Sequence, residues 1–485
     1  KYVVKLNGKR IFEKNTNVFS VFNLIPATKY ILDVEEEHIE FTTSDESQAL
    51  NVADFGAVGD GEKDDTMAIQ MAIDCVKDNG RVIVPKGIYF CAPLTLRSNI
   101  TLDIQGGATI LGHTCKDDYP IMPGEIKDAL THKDIQIGTW EGEPRSAYKS
   151  LISGFNIANT NIVGEGVIDG NAQNGVWWVN HKQQTIGRPR LVFLNNCNNI
   201  TMHGVSGQNS ASWQLHPFFS QNINFLDVKI NAPADSPNTD GCDPESCDSV
   251  NIIGCVFSVG DDCVAIKSGK VYMGAKYKTP ASRHIIRNCL MQYGHGAVVL
   301  GSEMAGGVKE LSVSQCLFNR TDRGLRIKTR RGRGKDAVID DITFENIRME
   351  KVLTPLVINM YYFCDFDGKS DYVQTRVAQN VDDSTPYLGR FTFKDIECVD
   401  CEVACGYFDG LTEQPIKEVT IDNVVFSMNK DARPNVPAML CNVPQMCKSG
   451  LYFDNVGKLT LKNIKVNGVV GEEIIIKNVK QVVKE

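Results

Sequence analysis

Two adjacent aspartates, Asp261 and Asp262, stand in the stretch GDDCVAIKSGK, and a third, Asp240, stands in NTDG 21 to 22 residues earlier. Neighbouring side chains on a regular strand point to opposite faces, so two aspartates that work together must sit where the chain leaves strand geometry, at a turn or bulge near Gly260. Carboxylates brought close cannot all ionise cheaply; one keeps its proton to higher pH while the others stay charged. An acid and a base in one cleft are what glycosidic bond hydrolysis requires, one carboxyl donating to the leaving oxygen and another acting on water or on the sugar carbon. Further polar motifs follow at similar intervals: His295 in GHG lies 33 residues after Asp262, and Arg326 in RIK lies 31 after His295. Arg326 and Lys328 are two apart, so a strand presents both on one face. The run RGLRIKTRRGRGK carries seven basic residues and no acid. Guanidinium groups pair bidentately with carboxylates, which makes Arg330, Arg331 and Arg333 candidate clamps for an anionic chain. Nucleic acid fits this run less well because it has no aromatics for base stacking. Each piece alone has an ordinary explanation, since a lone Asp usually caps a turn and a lone His usually serves packing. Their joint spacing shifts the balance towards chemistry.

The elements that must bring these residues together are short strands. From about residue 100 onward one phrase recurs, a strand, an Asn or Gly turn and a second strand: NITLDIQGG, NITMHGVSG, NINFLDVKI, VNIIGCVFS, DITFENIRM, KLTLKNIKV. Ile200, Ile223, Ile252 and Ile285 are spaced 23, 29 and 33 residues apart. Recurrence at this period, rich in β-branched residues and without amphipathic crossover helices, predicts an all-β solenoid, a right-handed parallel β-helix, with handedness taken from the general crossover preference. Equivalent positions of successive coils then lie about 4.8 Å apart, which converts the motif spacing into proximity.

Two segments fall outside the repeat. Residues 1–46 read as a small β unit, with LIPATKYILDV resembling the second half of a fibronectin type III module, and 47–485 as the β-helix. NVADFGAVGDG leads into a short helix capped by Asp64 or Asp65; it matches neither dinucleotide nor P-loop spacing. Insertions at 113–149, 170–188 and 363–389 are placed to wall one end of a groove. Cys197, Cys255, Cys289 and Cys316 read as free thiols in equivalent core positions, and neither CDPESC nor CVDC has zinc-site spacing.

The chain has 485 residues, 42% hydrophobic and 23% charged, with net charge −8. That balance disfavours general binding to nucleic acid or acidic membranes, and no run reaches the ~18 apolar residues of a membrane span. KYVVKLNGKR lacks the pattern of a secretory signal, and 16 cysteines without an evident pairing pattern point to a reducing, cytoplasmic setting; export with a removed signal is the alternative.

With NTDG, GDD, GHG and RIK in this order, and weaker likeness across roughly 50–470, the chain resembles glycoside hydrolase family 28, the polygalacturonases and related pectin-degrading enzymes. The resemblance implies Asp261 as general acid, Asp240 and Asp262 as the carboxylates that activate water with inversion, and His295 as the residue supporting the acid's protonation. It implies Arg326 and Lys328 as ligands of a galacturonate carboxylate, with Asn238, Tyr361 or Tyr362, and His216 of SWQLHP as further substrate contacts. It implies no metal and no cofactor, a galacturonate-containing oligo- or polysaccharide as partner, and a lean towards exo action. The alternatives are a calcium-dependent pectate lyase, a hydrolase of rhamnogalacturonan or xylogalacturonan, and a β-helix that only binds polysaccharide.

Overall fold

Alternating apolar residues give each short strand one face to bury, and the stacked coils bury it against one another. The computed structural model describes residues 1–485. One inward-facing ladder runs in register through Leu50, Val82, Leu102, Ile162, Met202, Phe225, Ile252, Ile286, Val313, Phe344, Phe393, Ile421 and Leu461. These parallel pairings belong to a single 29-stranded sheet wound into a right-handed parallel β-helix. A second face, of four short parallel strands, stacks Leu94–Thr95, Ile152–Phe155, Val192–Asn195 and Leu215–Phe218. A core of 94 buried residues fills the tube along its length. No helix is long and apolar enough to cross a membrane.

The Asn-rich turns have a physical reason. Asn99, Asn159, Asn199 and Asn222 all adopt positive φ, which Asn tolerates better than other side-chain-bearing residues. Their amides also stack from coil to coil, as Asn199 Nδ2 donates to Asn159 Oδ1 at 2.8 Å and Asn159 Nδ2 to Asn99 Oδ1 at 3.0 Å. All 16 cysteines are unpaired, and 11 of them are buried. One expectation needs correction here. Cys255, Cys289 and Cys316 do stack at one corner, each preceding the register-matched Val256, Leu290 and Leu317. Cys197 belongs to another corner, in line with Ser220 and Cys247, which precede Gln221 and Asp248.

The first strands, β1 (Tyr2–Leu6), β2 (Lys9–Lys14), β3 (Lys29–Val34) and β4 (Glu37–Thr42), form a separate antiparallel sheet in the order β2-β1-β3-β4. The segment between β2 and β3 docks on the solenoid: Phe22 packs on the His203 ring, and Ser20 Oγ donates to Asp227 at 2.7 Å. Gly204, at φ +80, is required there, because a Cβ would come within 2.2 Å of the Phe22 ring. Helix α1 (Thr66–Cys75) covers the first coil with Ile69, Ala72 and Ile73. Asp64 accepts from the Thr66 N–H, while Asp65 accepts from Val58 and Gly59 N–H and folds the glycine turn back onto the helix start.

Candidate active site

The reacting groups hang on consecutive backbone rungs. Gln214 N–H donates to Asp240 O, Gly241 N–H to Asp262 O, Cys263 N–H to Gly296 O, and Ala297 N–H to Arg323 O, each at 2.8–2.9 Å. The strand Val256–Val259 stops before Gly260, and the chain resumes as strand only at Val264. Asp261 and Asp262 occupy that bend, so both carboxylates reach one surface. His295 N–H donates to Asp261 O, and Gly294, at φ +56, leaves room for that carbonyl, which a Cβ would approach to 2.6 Å. Carboxylate oxygens of Asp240, Asp261 and Asp262 lie within 4.8 Å of one another. They face a groove of about 1020 Å³ that Asn238, His295, Arg326, Lys328 and Tyr362 also line.

The three carboxylates have different surroundings. Asp262, 1% exposed, receives Lys328 Nζ at 2.7 Å and Arg326 Nη1 at 3.3 Å. Burial opposes its charge, but these two cations outweigh it and hold the carboxyl far below the usual range. Asp240 is pushed well above that range by burial and by the neighbouring Asp243 and Asp261 charges. Clustering thus lifts proton affinity on Asp240. Asp261 is a quarter exposed to the groove, and its Oδ1 lies 3.2 Å from His295 Nδ1. The hydrogen bond to Asp261 raises the His295 pKa against the effect of burial.

Beneath the groove floor lies a charged layer that the motifs did not reveal. Lys267, almost fully buried, lies 3.2 Å from Glu303, 3.4 Å from Asp243 and 3.9 Å from Asp240. Burial pushes Asp243 up to about 7 despite Lys267, and burial with the Glu303 charge pushes Glu245 up to about 8. Burial would also raise Glu303, but Lys267 and Lys328 hold it at about 2. Cations and indoles alternate through this layer: Arg188 and Arg190 lie over Trp140, and Arg190 and Lys267 over Trp213, at 4.3–5.2 Å from the ring centres. The alternation in VAIK was the available signal for Lys267, since Val264 and Ile266 face the core and the lysine shares the opposite face with Ala265.

Several expected substrate contacts lie elsewhere. His216 is buried among Phe193, Trp213 and Phe218, its Nε2 3.0 Å from Glu245, and it does not line the groove. Tyr361 is fully buried and donates to Gly410 O; its neighbour Tyr362 faces the groove. Arg331 is buried against Glu413 and the carbonyls of Tyr372, Val373 and Thr375, away from the groove. Arg330 and Arg333 do line it, but Asp365 and Asp367 engage Arg330, and Asp365 engages Arg333. These acids come from the 363–389 insertion, so no inspection of the basic run alone reveals them. The insertions do flank the groove, through Glu141 on one side and Cys364 to Asp367 on the other, joined by the segment Asn435 to Met439 that was not anticipated. The three carboxylates are near enough to share a cation, yet Lys328, Arg326 and Lys267 already face them, so the donor set does not fit a divalent metal.

A parallel β-helix with an acid cluster and paired cations in an open groove has the layout of a glycoside-cleaving enzyme, and the comparisons agree. The model of glycosyl hydrolases family 28 matches residues 84–430, and a model of rhamnogalacturonase A/epimerase, pectate lyase-like proteins matches 49–115. The chain belongs to glycoside hydrolase family 28. It is 28% identical over 435 residues to a Vitis vinifera protein named "Probable polygalacturonase", covering 86% of this chain and 84% of that one. It is 24% identical over 516 residues to the exo-poly-alpha-D-galacturonosidase of Dickeya chrysanthemi, covering 92% and 81%. The crystal structure of a hyperthermoactive exopolygalacturonase from Thermotoga maritima superposes with a TM-score of 0.69 at 25% identity, covering 88% of this chain and 93% of that one.

Proposed function

We propose that the protein hydrolyses α-1,4-galacturonosyl linkages in polygalacturonate and pectin-derived oligosaccharides, from a chain end and with inversion. The observation that carries this reading is the convergence of Asp240, Asp261 and Asp262 within 4.8 Å, with Arg326 and Lys328 on a strand two rungs further along. The names of the Dickeya and Thermotoga relatives support the substrate and the exo action, as do the insertions beside the groove.

In this mechanism Asp261, the carboxyl open to the groove, donates to the leaving oxygen. As the glycosidic bond breaks, the Asp261 carboxyl proton goes to the leaving oxygen and the proton that His295 holds on Nδ1 passes to Asp261 Oδ1, so the pair gives up one proton in all. Asp262, kept ionised by Lys328 and Arg326, and Asp240 orient and deprotonate the attacking water. Inverting enzymes usually hold two carboxyl groups about 6.5–9.5 Å apart; here a tighter triad divides the base's work between two carboxylates. The remaining donors of Arg326 and Lys328 bind the sugar carboxylate, and Asn238 and Tyr362 contact the ring.

Product analysis on a galacturonate oligomer tests this reading. Expected are products of one length released from the chain end, with the β-anomer formed first by proton NMR. Mixed lengths would sink exo action, and an unsaturated, ultraviolet-absorbing product would make the protein a lyase. The pH profile of kcat adds a second check. Activity should fall on the acid side as Asp240, whose pKa is raised, takes up its proton, and on the alkaline side as His295, also raised, loses its own. His295→Asn should lower kcat about 10²-fold and shift the alkaline limb to more acid pH; an unchanged limb would remove His295 from the proton path.

A further inference from the structure

The groove continues past Asp261 into a second cavity of about 560 Å³, in the usual range for a small-ligand site. Asn238, Asp261, His295 and Glu141 border both spaces, whereas Arg145, Lys182 and Arg188 border only the second and Arg326 and Lys328 only the first. The rungs give the order along the axis. Leu191 N–H donates to Trp213 O and Gln214 N–H to Asp240 O, so the Arg188 coil lies two rungs before Asp240, as the Arg326 coil lies two rungs after Asp262. The scissile position is therefore flanked by cations on both sides.

The arginines that follow Lys328 and those of the second cavity differ in how much positive charge is free. Beyond Lys328, Arg330 and Arg333 are matched by Asp365 and Asp367. In the second cavity the guanidinium of Arg145 meets only the carbonyls of Thr185 and Gln184, at 2.8 and 3.2 Å. Arg188 is 1% exposed; it donates to Ala211 O, Pro237 O and Asn238 Oδ1, and its Nε has no partner. Glu141 and Asp261 are the only acids in the lining, and burial and the Arg188 charge lower the pKa of His181 there.

We propose that the cavity walled by Arg145, Lys182 and Arg188 binds a second uronate carboxylate of the substrate, on the side of the scissile bond opposite Arg326 and Lys328. This site, and not the arginine run after Lys328, then selects for a polyanionic chain. The inference rests on the galacturonan reading above.

Arg145→Ala/Lys182→Ala removes two exposed charges from the rim and spares the buried Arg188. For trigalacturonate, KM should rise at least tenfold with kcat within about twofold, and the salt dependence of kcat/KM should weaken. For a trimer methyl-esterified only on the residue that faces Arg145 and Lys182, KM should not change. A KM within twofold of the parent for the charged trimer, or an equal rise for the ester, overturns the proposal. Calorimetric titration of trigalacturonate into the inactive Asp261→Asn protein, with and without the rim substitutions, reads the cavity without turnover. Weaker binding with the substitutions is expected, and equal binding overturns it. A trimer that binds in this way but is not cleaved by the wild-type protein would instead sink the hydrolase reading alone.

Discussion

Asp261→Asn is expected to lower kcat on polygalacturonate by about 10³- to 10⁴-fold, the upper range for loss of a general acid. The amide has the shape of the carboxyl but no acidic proton to give, so bond cleavage must proceed with an unprotonated leaving oxygen. The fold should tolerate the change. Asp261 is partly exposed at a bend, and its Oδ1 accepts from the Asp262 N–H at 3.0 Å, a bond that an amide oxygen reproduces. KM should move little, because Arg326, Lys328 and Asn238 are untouched. The measurement is reducing-sugar release with thermal unfolding as a control; a variant within tenfold of the parent would remove Asp261 from the acid role.

Lys267→Met should show the other large effect, on stability and pH dependence together. The ammonium serves Asp240, Asp243 and Glu303 at once, and breaking a buried pair by removing one partner costs about 3–5 kcal/mol. Burial lowers the lysine pKa, but Glu303, Asp243 and Asp240 together raise it well above its ordinary value. A raised lysine stabilises fully below its unfolded pKa of about 10.4 and loses that contribution only as pH rises through the folded value, so the whole effect is present at pH 7. Asp243 and Glu245, raised to about 7 and 8, act in the same direction: they favour the folded state most below the usual carboxylate range, and that contribution fades as pH rises through 7 and 8. The variant should therefore lose more stability at pH 7 than at pH 5, where Asp243 is already protonated in the parent and draws less on Lys267. Without Lys267 the proton affinity of Asp240 rises further, so the acid limb of kcat moves to higher pH. Lys267→Arg should restore part of both. Urea unfolding at the two pH values and a pH–rate profile test this; a uniform drop with an unmoved limb would reduce Lys267 to a packing role.

What was legible in the chain follows from the ladder. The repeat fixes which residues stack, so Asp240, Asp261, Asp262, His295, Arg326 and Lys328 are found together from spacing alone. Side-chain direction beyond a strand's end is not fixed in this way. Thr354–Asn359 ends just before Tyr361 and Tyr362, and only the path of the following turn makes one tyrosine core and the other groove. Partner choice across distant segments is equally hidden: the RRGRGK arginines look free in sequence because Asp365, Asp367 and Glu413 approach from 32 to 82 residues away. His216 failed for a third reason, since a polar residue in a strand reads as exposed until Glu245 is brought beneath it by the next coil.

The groove walls are built outside the register that holds the solenoid together. Residues 113–149, 170–188 and 363–386 leave the stack without breaking the paired rungs on either side, and the chain rejoins it at Tyr387–Leu388, in register with Val338–Ile339. Lengthening such a loop costs little, about 0.6 kcal/mol for each doubling, whereas altering a rung disturbs the coils directly above and below it. Over evolutionary time the scaffold can therefore hold its reaction constant while exchanging wall segments almost independently, so that descendants diverge first in which sugars they admit and last in how they cut them.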